Sequence, residues 1–236
     1  VDETEELRAL MQADRWIERV ASQREHLPEM TELAALEGNL RSLSKALEEA
    51  KNALSPVRSS YEAVERETSR LAKRGAELER TLAASTANVR ELTVLHAELE
   101  HVRELLALAE DRELELLIEV EPLDEQVAAI KGQAQPGLVR RGELQGIIAE
   151  LQASLDEELV ALRRGRDEAA GALSSELAAR YEGLKKRVGT SGAAQVDEGR
   201  CDGCRIALSP LDLSRYKAQP AGEFMTCAEC GRLLVP

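Results

Sequence analysis

Between Leu33 and Leu82 the chain places an apolar or small residue at steps that alternate three and four without a slip: Leu33, Leu36, Leu40, Leu43, Leu47, Ala50, Leu54, Val57, Tyr61, Val64, Thr68, Leu71, Gly75, Leu78 and Leu82. A stripe of this period is the seam of a coiled coil, and one helix alone has nothing against which to bury it. A second seam restarts at Leu92 and runs through Leu95, Leu99, Val102, Leu106, Ala109, Glu113, Leu116, Val120, Leu123, Val127, Ile130 and Ala134. At the same phase it meets Leu144, Ile148, Leu151, Leu155, Leu162, Ala169 and Ala172, with Arg141, Glu158 and Gly165 as defects. Two seams joined by a short connection must lie antiparallel. The pairing that follows sets Leu82 opposite Leu92 and Leu33 near Arg141, with arms of about fifty residues, roughly 75 Å at the helical rise.

Residues 83–91 carry no seam residue and read as the tip, where Asn88 is placed to cap the second helix and Glu91 to complete a capping box. Pro56 keeps the phase on both sides and reads as a kink. Gln135-Pro136-Gly137 either kinks or interrupts the second arm. Before the first seam, Leu10, Ala13, Ile17, Val20 and Leu27 form an out-of-phase stripe that ends at Pro28, so a separate N-terminal helix is expected, lying beside residues 142–171. Trp16 reads as a packing residue at the flank of that stripe, and His26 as a solvated residue at the break.

All four cysteines lie in the last forty residues, as Cys201-Asp-Gly-Cys204 and Cys227-Ala-Glu-Cys230 with 22 residues between. Two such pairs close a tetrahedron around one ion, so the expected cofactor is a single structural Zn2+ held by Cys201, Cys204, Cys227 and Cys230. A redox pair needs only one motif, and two disulfides need an oxidising compartment. Four thiolates leave no open position for catalysis. With few large hydrophobes from Val196 onward, the module is expected to draw its stability from the metal and to be largely unfolded without it. Short strands are expected around residues 194–196 and 222–226, and Ser209-Pro210 marks the start of a short helix through Lys217. Gly189-Thr-Ser-Gly192 reads as a flexible linker. The fold class is therefore mainly α, with a coiled-coil hairpin over residues 1–189 and a small β-rich zinc ribbon over residues 190–236.

Aromatics make up 2% of the chain and charged residues 32%, the profile of long helices. Of the net charge of −13, residues 196–236 contribute almost nothing, with five Lys or Arg against six Asp or Glu. The helical part therefore repels nucleic acid. No apolar run is long enough to span a membrane, and cysteines of zinc type without an export signal point to the cytoplasm. No nucleophile stands beside a base and no Gly-rich loop ends in Lys-Ser/Thr, so no catalytic residue, enzyme activity or small-molecule substrate is expected. His96 and His101 are five apart, one too many for a zinc-protease helix.

The segments Arg180-Tyr181-Glu182, Gly199-Arg200-Cys201-Asp202-Gly203-Cys204, Leu208-Ser209-Pro210 and Cys227 to Val235, with Asn88-Val89-Arg90-Glu91-Leu92 at the tip, resemble the bacterial four-cysteine zinc-ribbon proteins with an N-terminal coiled-coil hairpin. The resemblance implies a non-enzymatic binding protein. Members are described as chaperones of an alternative sigma factor, partners of secretion components and binders of messenger RNA. Two functions stay open on the sequence. One is an adaptor that engages protein partners through the ribbon and the hairpin tip. The other is a nucleic-acid-binding regulator using Arg180, Lys185, Lys186, Arg187, Arg200, Arg205, Arg215, Lys217 and Arg232, whose phosphate contacts would make affinity fall with salt. A third reading makes the ribbon no more than the end cap of a coiled-coil spacer.

Overall fold

The computed structural model describes residues 3–84 and 89–236. Its elements are α1 (Thr4–Glu25), α2 (Pro28–Ala84), α3 (Val89–Ala172), α4 (Ser175–Val188), β1 (Ala193–Asp197), β2 (Arg200–Cys201), α5 (Pro210–Lys217) and β3 (Leu233–Val235). They group into two compact units, Glu32–Glu143 and Val1–Thr31 with Leu144–Pro236. Asn88, and with it the expected capping box, lies outside the described residues.

In the first unit α2 and α3 bury the two seams against each other. Leu71 and Leu78 pack with Leu99 and Val102, and farther along Ala50 and Leu54 pack with Val120 and Val127. The antiparallel arrangement is the expected one, but the register is one seam step away. Gly75 lies 3.8 Å from Val102 by its would-be Cβ, where the Leu82–Leu92 pairing would have set it against Leu99. Ion pairs across the seam, Arg74–Glu98 at 2.5 Å, Arg103–Glu79 at 2.8 Å and Arg140–Glu32 at 2.9 Å, are exposed. Each contributes about 0–1 kcal/mol, and their value is in fixing register. Pro56, Pro122 and Pro136 all lie inside unbroken helices. Of the two outcomes expected at Pro136, interruption does not occur, and the following Gly137 admits the Leu40 side chain so closely that a Cβ would meet it at 3.0 Å.

The second unit is built on α1. This helix ends at His26, whose Nδ1 lies 2.8 Å from the Ser22 carbonyl, and Pro28 opens α2 at a position where its missing N–H costs nothing. The buried face of α1 is Leu7, Leu10, Met11, Asp14 and Val20, a phase that takes in a carboxylate and leaves Ile17 partly exposed. Trp16 is half-exposed, contrary to the packing role expected of it, with the Arg19 guanidinium 5.2 Å from its ring centroid. Arg24 pairs with Asp156 at 2.7 Å, which sets α1 beside the later part of α3 as anticipated. On that part Leu144, Ile148, Leu155 and Leu159 are buried while Leu151 is exposed, so Leu159 replaces the expected defect at Glu158.

A break at Leu173-Ser174, which the seam did not announce, separates α3 from α4. The Ser174 hydroxyl donates to Glu3, the residue that precedes α1. Beyond α4 the chain does not form the flexible linker that Gly189–Gly192 suggested. Ser191 is buried, and Gly192 packs so tightly on Tyr181 that a Cβ would stand 2.3 Å from its carbonyl oxygen. The ribbon sheet has the order β2-β1-β3, antiparallel between β1 and β2 (Val196 opposite Cys201) and parallel between β1 and β3 (Ala194 opposite Leu234). The strand expected at 222–226 reduces to a single bridge, Thr226 with Leu233, and the third strand is formed instead by the last apolar run. One face of the sheet completes the core of the helices: Ala193, Phe224, Leu233 and Val235 join Leu7, Leu10, Met11, Leu177, Tyr181 and Leu184.

Candidate metal centre

Two turns of the same construction carry the cysteines. In the first, the amide of Cys201 donates to Ile206 O at 3.0 Å and the amide of Arg205 to Cys201 O at 2.6 Å. In the second, Cys227 N donates to Arg232 O at 2.8 Å and Gly231 N to Cys227 O at 2.9 Å. Each turn needs a left-handed residue directly after its second cysteine. Gly231 supplies it at φ 74° without cost, and Arg205 adopts it at φ 62° with a side chain in place.

The turns bring the four Sγ atoms within 4.8 Å of one another, with Cys201–Cys230 at 3.8 Å and Cys204–Cys227 at 3.9 Å. A tetrahedron of Zn–S bonds of about 2.3 Å has edges of about 3.8 Å, so the donor set and its spacing fit one structural Zn2+, and no sulfur pair is bonded as a disulfide. Burial pushes the Cys201 thiol up to about 12 and raises that of Cys227. Cys230 differs: burial acts upward there too, but hydrogen bonds from the backbone and side chain of Arg232 and from neighbouring thiols hold it at about 7. Cys230 therefore loses its proton more readily than the buried Cys201 and Cys227.

Ser209 accepts from the amide of Asp212 at 3.1 Å and caps α5, with Pro210 in the first turn, as the sequence indicates. The Tyr216 hydroxyl on α5 donates to Val235 O at 2.8 Å, which ties the inter-knuckle loop to β3.

Two of the nine basic residues considered for a partner are engaged within the protein. Arg232 is buried and donates to Ser191 O at 3.0 Å and Gly203 O at 3.3 Å, so its charge is spent inside the ribbon. Lys185 donates to Asp14 at 2.6 Å. Arg180, Lys186, Arg187, Arg200, Arg205, Arg215 and Lys217 are exposed, with Arg215 near Asp212 at 3.8 Å. Among these, Arg180 and Arg187 line one open groove of about 400 Å³ together with Thr226 and Gly231.

Sequence reasoning missed a buried polar cluster beside the metal site. The Asp14 carboxylate accepts from Tyr181 Oη at 2.7 Å, Arg166 Nε at 2.9 Å and Lys185 Nζ at 2.6 Å. Arg166 also meets Glu182, and Tyr181 lies 3.1 Å from Ser191 Oγ. Burial first, then the Asp14 contact, raises the Tyr181 phenol well above its ordinary range. The neighbouring Arg15 grips Asp202, between the first two cysteines, through both guanidinium nitrogens at 2.6 and 2.8 Å. One sequence signal existed: Asp14 follows Leu7 by seven residues and Arg166 follows Leu159 by seven, which places both on buried faces.

An antiparallel helix pair joined in one chain to a four-thiolate ribbon defines a helical-hairpin zinc-ribbon protein. The sequence matches the CT398-like coiled coil hairpin domain over residues 10–189 and the C4-type zinc ribbon domain over residues 200–234, and the chain belongs to this family. An uncharacterised protein of Mycobacterium tuberculosis is 26% identical over 233 residues, covering 96% of this chain and 92% of its own. Among solved structures, a Mycobacterium smegmatis protein superposes with a TM-score of 0.78 at 22% identity, covering 99% of this chain and 98% of its own. CT398 from Chlamydia trachomatis gives 0.64 at 18% identity, covering 99% and 97%. The HP0958 protein of Helicobacter pylori gives 0.54 at 16% identity, covering 98% and 96%. These likenesses establish the fold. No helix among the described residues is long and apolar enough to cross a membrane.

Proposed function

We propose that the protein is a non-enzymatic adaptor whose zinc ribbon presents one recognition surface to a protein partner and whose hairpin tip presents another. The observation that carries this reading is on the ribbon. Ile206 and Leu211 are 47% and 60% exposed. Ile206 lines, with Leu208, Met225, Asp212 and Glu229, a cavity of about 190 Å³. That volume is below the roughly 300–1,000 Å³ of sites that enclose a small molecule, yet it accepts one apolar side chain of a partner. Zinc fixes the two turns that form its walls, since Cys227 itself lines the cavity.

The test compares partner recovery by the intact protein, an Ile206→Glu/Leu211→Glu variant and a Cys204→Ser variant. The adaptor reading expects both variants to lose partners that the intact protein retains, with the far-ultraviolet circular dichroism of the helices unchanged. Undiminished recovery by both would refute it in favour of a spacer with an end cap.

A second reading, a nucleic-acid-binding regulator, is favoured by the groove that Arg180 and Arg187 share. Fluorescence anisotropy with single-stranded RNA and duplex DNA at low salt decides it. Binding that weakens with salt and disappears in Arg180→Ala/Arg187→Ala supports this reading, and no binding at low salt ends it.

A further inference from the structure

The first zinc turn is held from outside the ribbon by one side chain. Asp202, between Cys201 and Cys204, accepts Arg15 Nη1 on Oδ2 at 2.6 Å and Arg15 Nη2 on Oδ1 at 2.8 Å. The same Oδ1 accepts the amide of Gln195 on β1 at 2.8 Å, and the Asp202 amide donates to Gln195 O at 2.9 Å. The residue that shapes the turn is thus fixed on its backbone by β1 and on its side chain by both β1 and α1. Planar two-point pairing transmits orientation as well as attraction, which a single ammonium does not. The second turn reaches the same place from its own side. Arg232 donates to Gly203 O at 3.3 Å and packs so closely that a Cβ on Gly203 would lie 2.7 Å from Arg232 Cδ. Meanwhile α1 has its own anchorage one residue earlier, where Asp14 meets Tyr181, Arg166 and Lys185.

We propose that Arg15 is a positioning residue for the metal site: through Asp202 it holds the Cys201–Cys204 turn in the ligating arrangement, so that zinc retention and the docking of α1 are linked. The linkage runs both ways. If docked α1 favours the bound metal by some factor, bound metal favours docked α1 by the same factor. This inference does not depend on which partner the ribbon binds.

The full-length zinc-loaded protein is mixed with excess 4-(2-pyridylazo)resorcinol, and zinc transfer is followed by absorbance. Arg15→Ala and Asp202→Asn each release zinc about tenfold faster than the unaltered protein, and Arg15→Lys gives only partial rescue. The control is Arg24→Ala, which removes another ion pair of α1, to Asp156, without touching the turn. It releases zinc at the original rate. In the reverse direction, hydrogen exchange on the zinc-stripped full chain rises in residues 4–25 and stays unchanged in residues 40–80. Unaltered zinc release in Arg15→Ala and Asp202→Asn would overturn the proposal. So would equal acceleration by Arg24→Ala, which would mean that any loosening of α1 suffices, or exchange in α1 that ignores the metal.

Discussion

Replacing Asp14 by Ala removes the one carboxylate that three donors from two other helices share. The carboxylate has 1% of its side chain exposed, while Arg166 and Lys185 have 19% and 29%. Removing one member of a buried charged set costs about 3–5 kcal/mol, because the partners stay desolvated without their counter-charge. Two details place Asp14→Ala at the lower end. Arg166 keeps Glu182, and the Lys185 ammonium has solvent within reach. A loss of about 3 kcal/mol in a chain of this size lowers the melting temperature by roughly 6–12 °C, at about 2–4 °C per kcal/mol. Trp16 is the only tryptophan, two residues further along α1, so its fluorescence follows this unit without contribution from the hairpin seams. Asp14→Asn, which keeps an acceptor and loses the charge, falls between Asp14→Ala and the unaltered protein. A second substitution, Lys185→Ala, adds less to Asp14→Ala than it costs alone, because the pair is already broken. A Trp16 transition within about 2 °C of the original in Asp14→Ala, or strictly additive effects in the double variant, would refute the reasoning.

Three further outcomes follow from the same geometry. Arg232→Ala leaves the Ser191 and Gly203 carbonyls without their cationic donor and costs about 1.5–3 kcal/mol, seen as faster zinc transfer to a chelator at unchanged helical circular dichroism. Gly132 and Gly146 sit exposed inside α3 with nothing within 4 Å of a would-be Cβ, so Gly132→Ala and Gly146→Ala each stabilise the helix by about 0.5–1 kcal/mol in denaturant titrations. Tyr181 has its folded-state pKa raised by burial and by Asp14. It contributes stability that is whole below about pH 10, the unfolded value, and is lost as pH rises toward the folded value. Tyr181→Phe removes that alkaline loss, and an unchanged pH profile of the Trp16 transition above pH 10 would contradict the assignment.

What the sequence could disclose depended on whether the physics was periodic or local. The seams of α2 and α3 are periodic, so their pairing was legible from residue spacing, while the register differs by one step because a uniform three-and-four repeat fits nearly as well when shifted by one step. The zinc turns are local, and each Cys-x-x-Cys carries its own instruction. The Ser209 cap of α5 is equally local. Asp14 and Arg166 were missed for the opposite reason. Each lies one position after the stripe read from the sequence, at Ala13 and Gly165, and only the partner 152 residues away shows what its charge is for. The same holds for Arg15 and Asp202, 187 residues apart, and for β3, whose parallel pairing with β1 joins Ala193 to Leu233.

The packing of the ribbon changes what metal loss means for this chain. A module supported by zinc alone would unravel from Val196 to Pro236 on chelation. Here one face of the sheet, through Ala193, Leu233 and Val235, belongs with Phe224 to the core of α1 and α4, whereas Ala194 and Leu234 pack with Cys201 and Cys227 on the other. The two faces alternate along the same strands, as a sheet requires. Chelation therefore removes the support of one face while the other keeps its apolar burial, at about 25 cal/mol for each Å² withheld from water. The segment over residues 202–218, which carries the exposed Ile206 and Leu211, depends on the metal face. That exposed segment is consequently the part most open to metal loss, and β1 with β3 the part best protected. Hydrogen exchange after chelation should rise through residues 202–218 before it rises at Ala193, Ala194 and Leu233. Simultaneous loss at all of these positions would show that the apolar face cannot hold its strands without the thiolates.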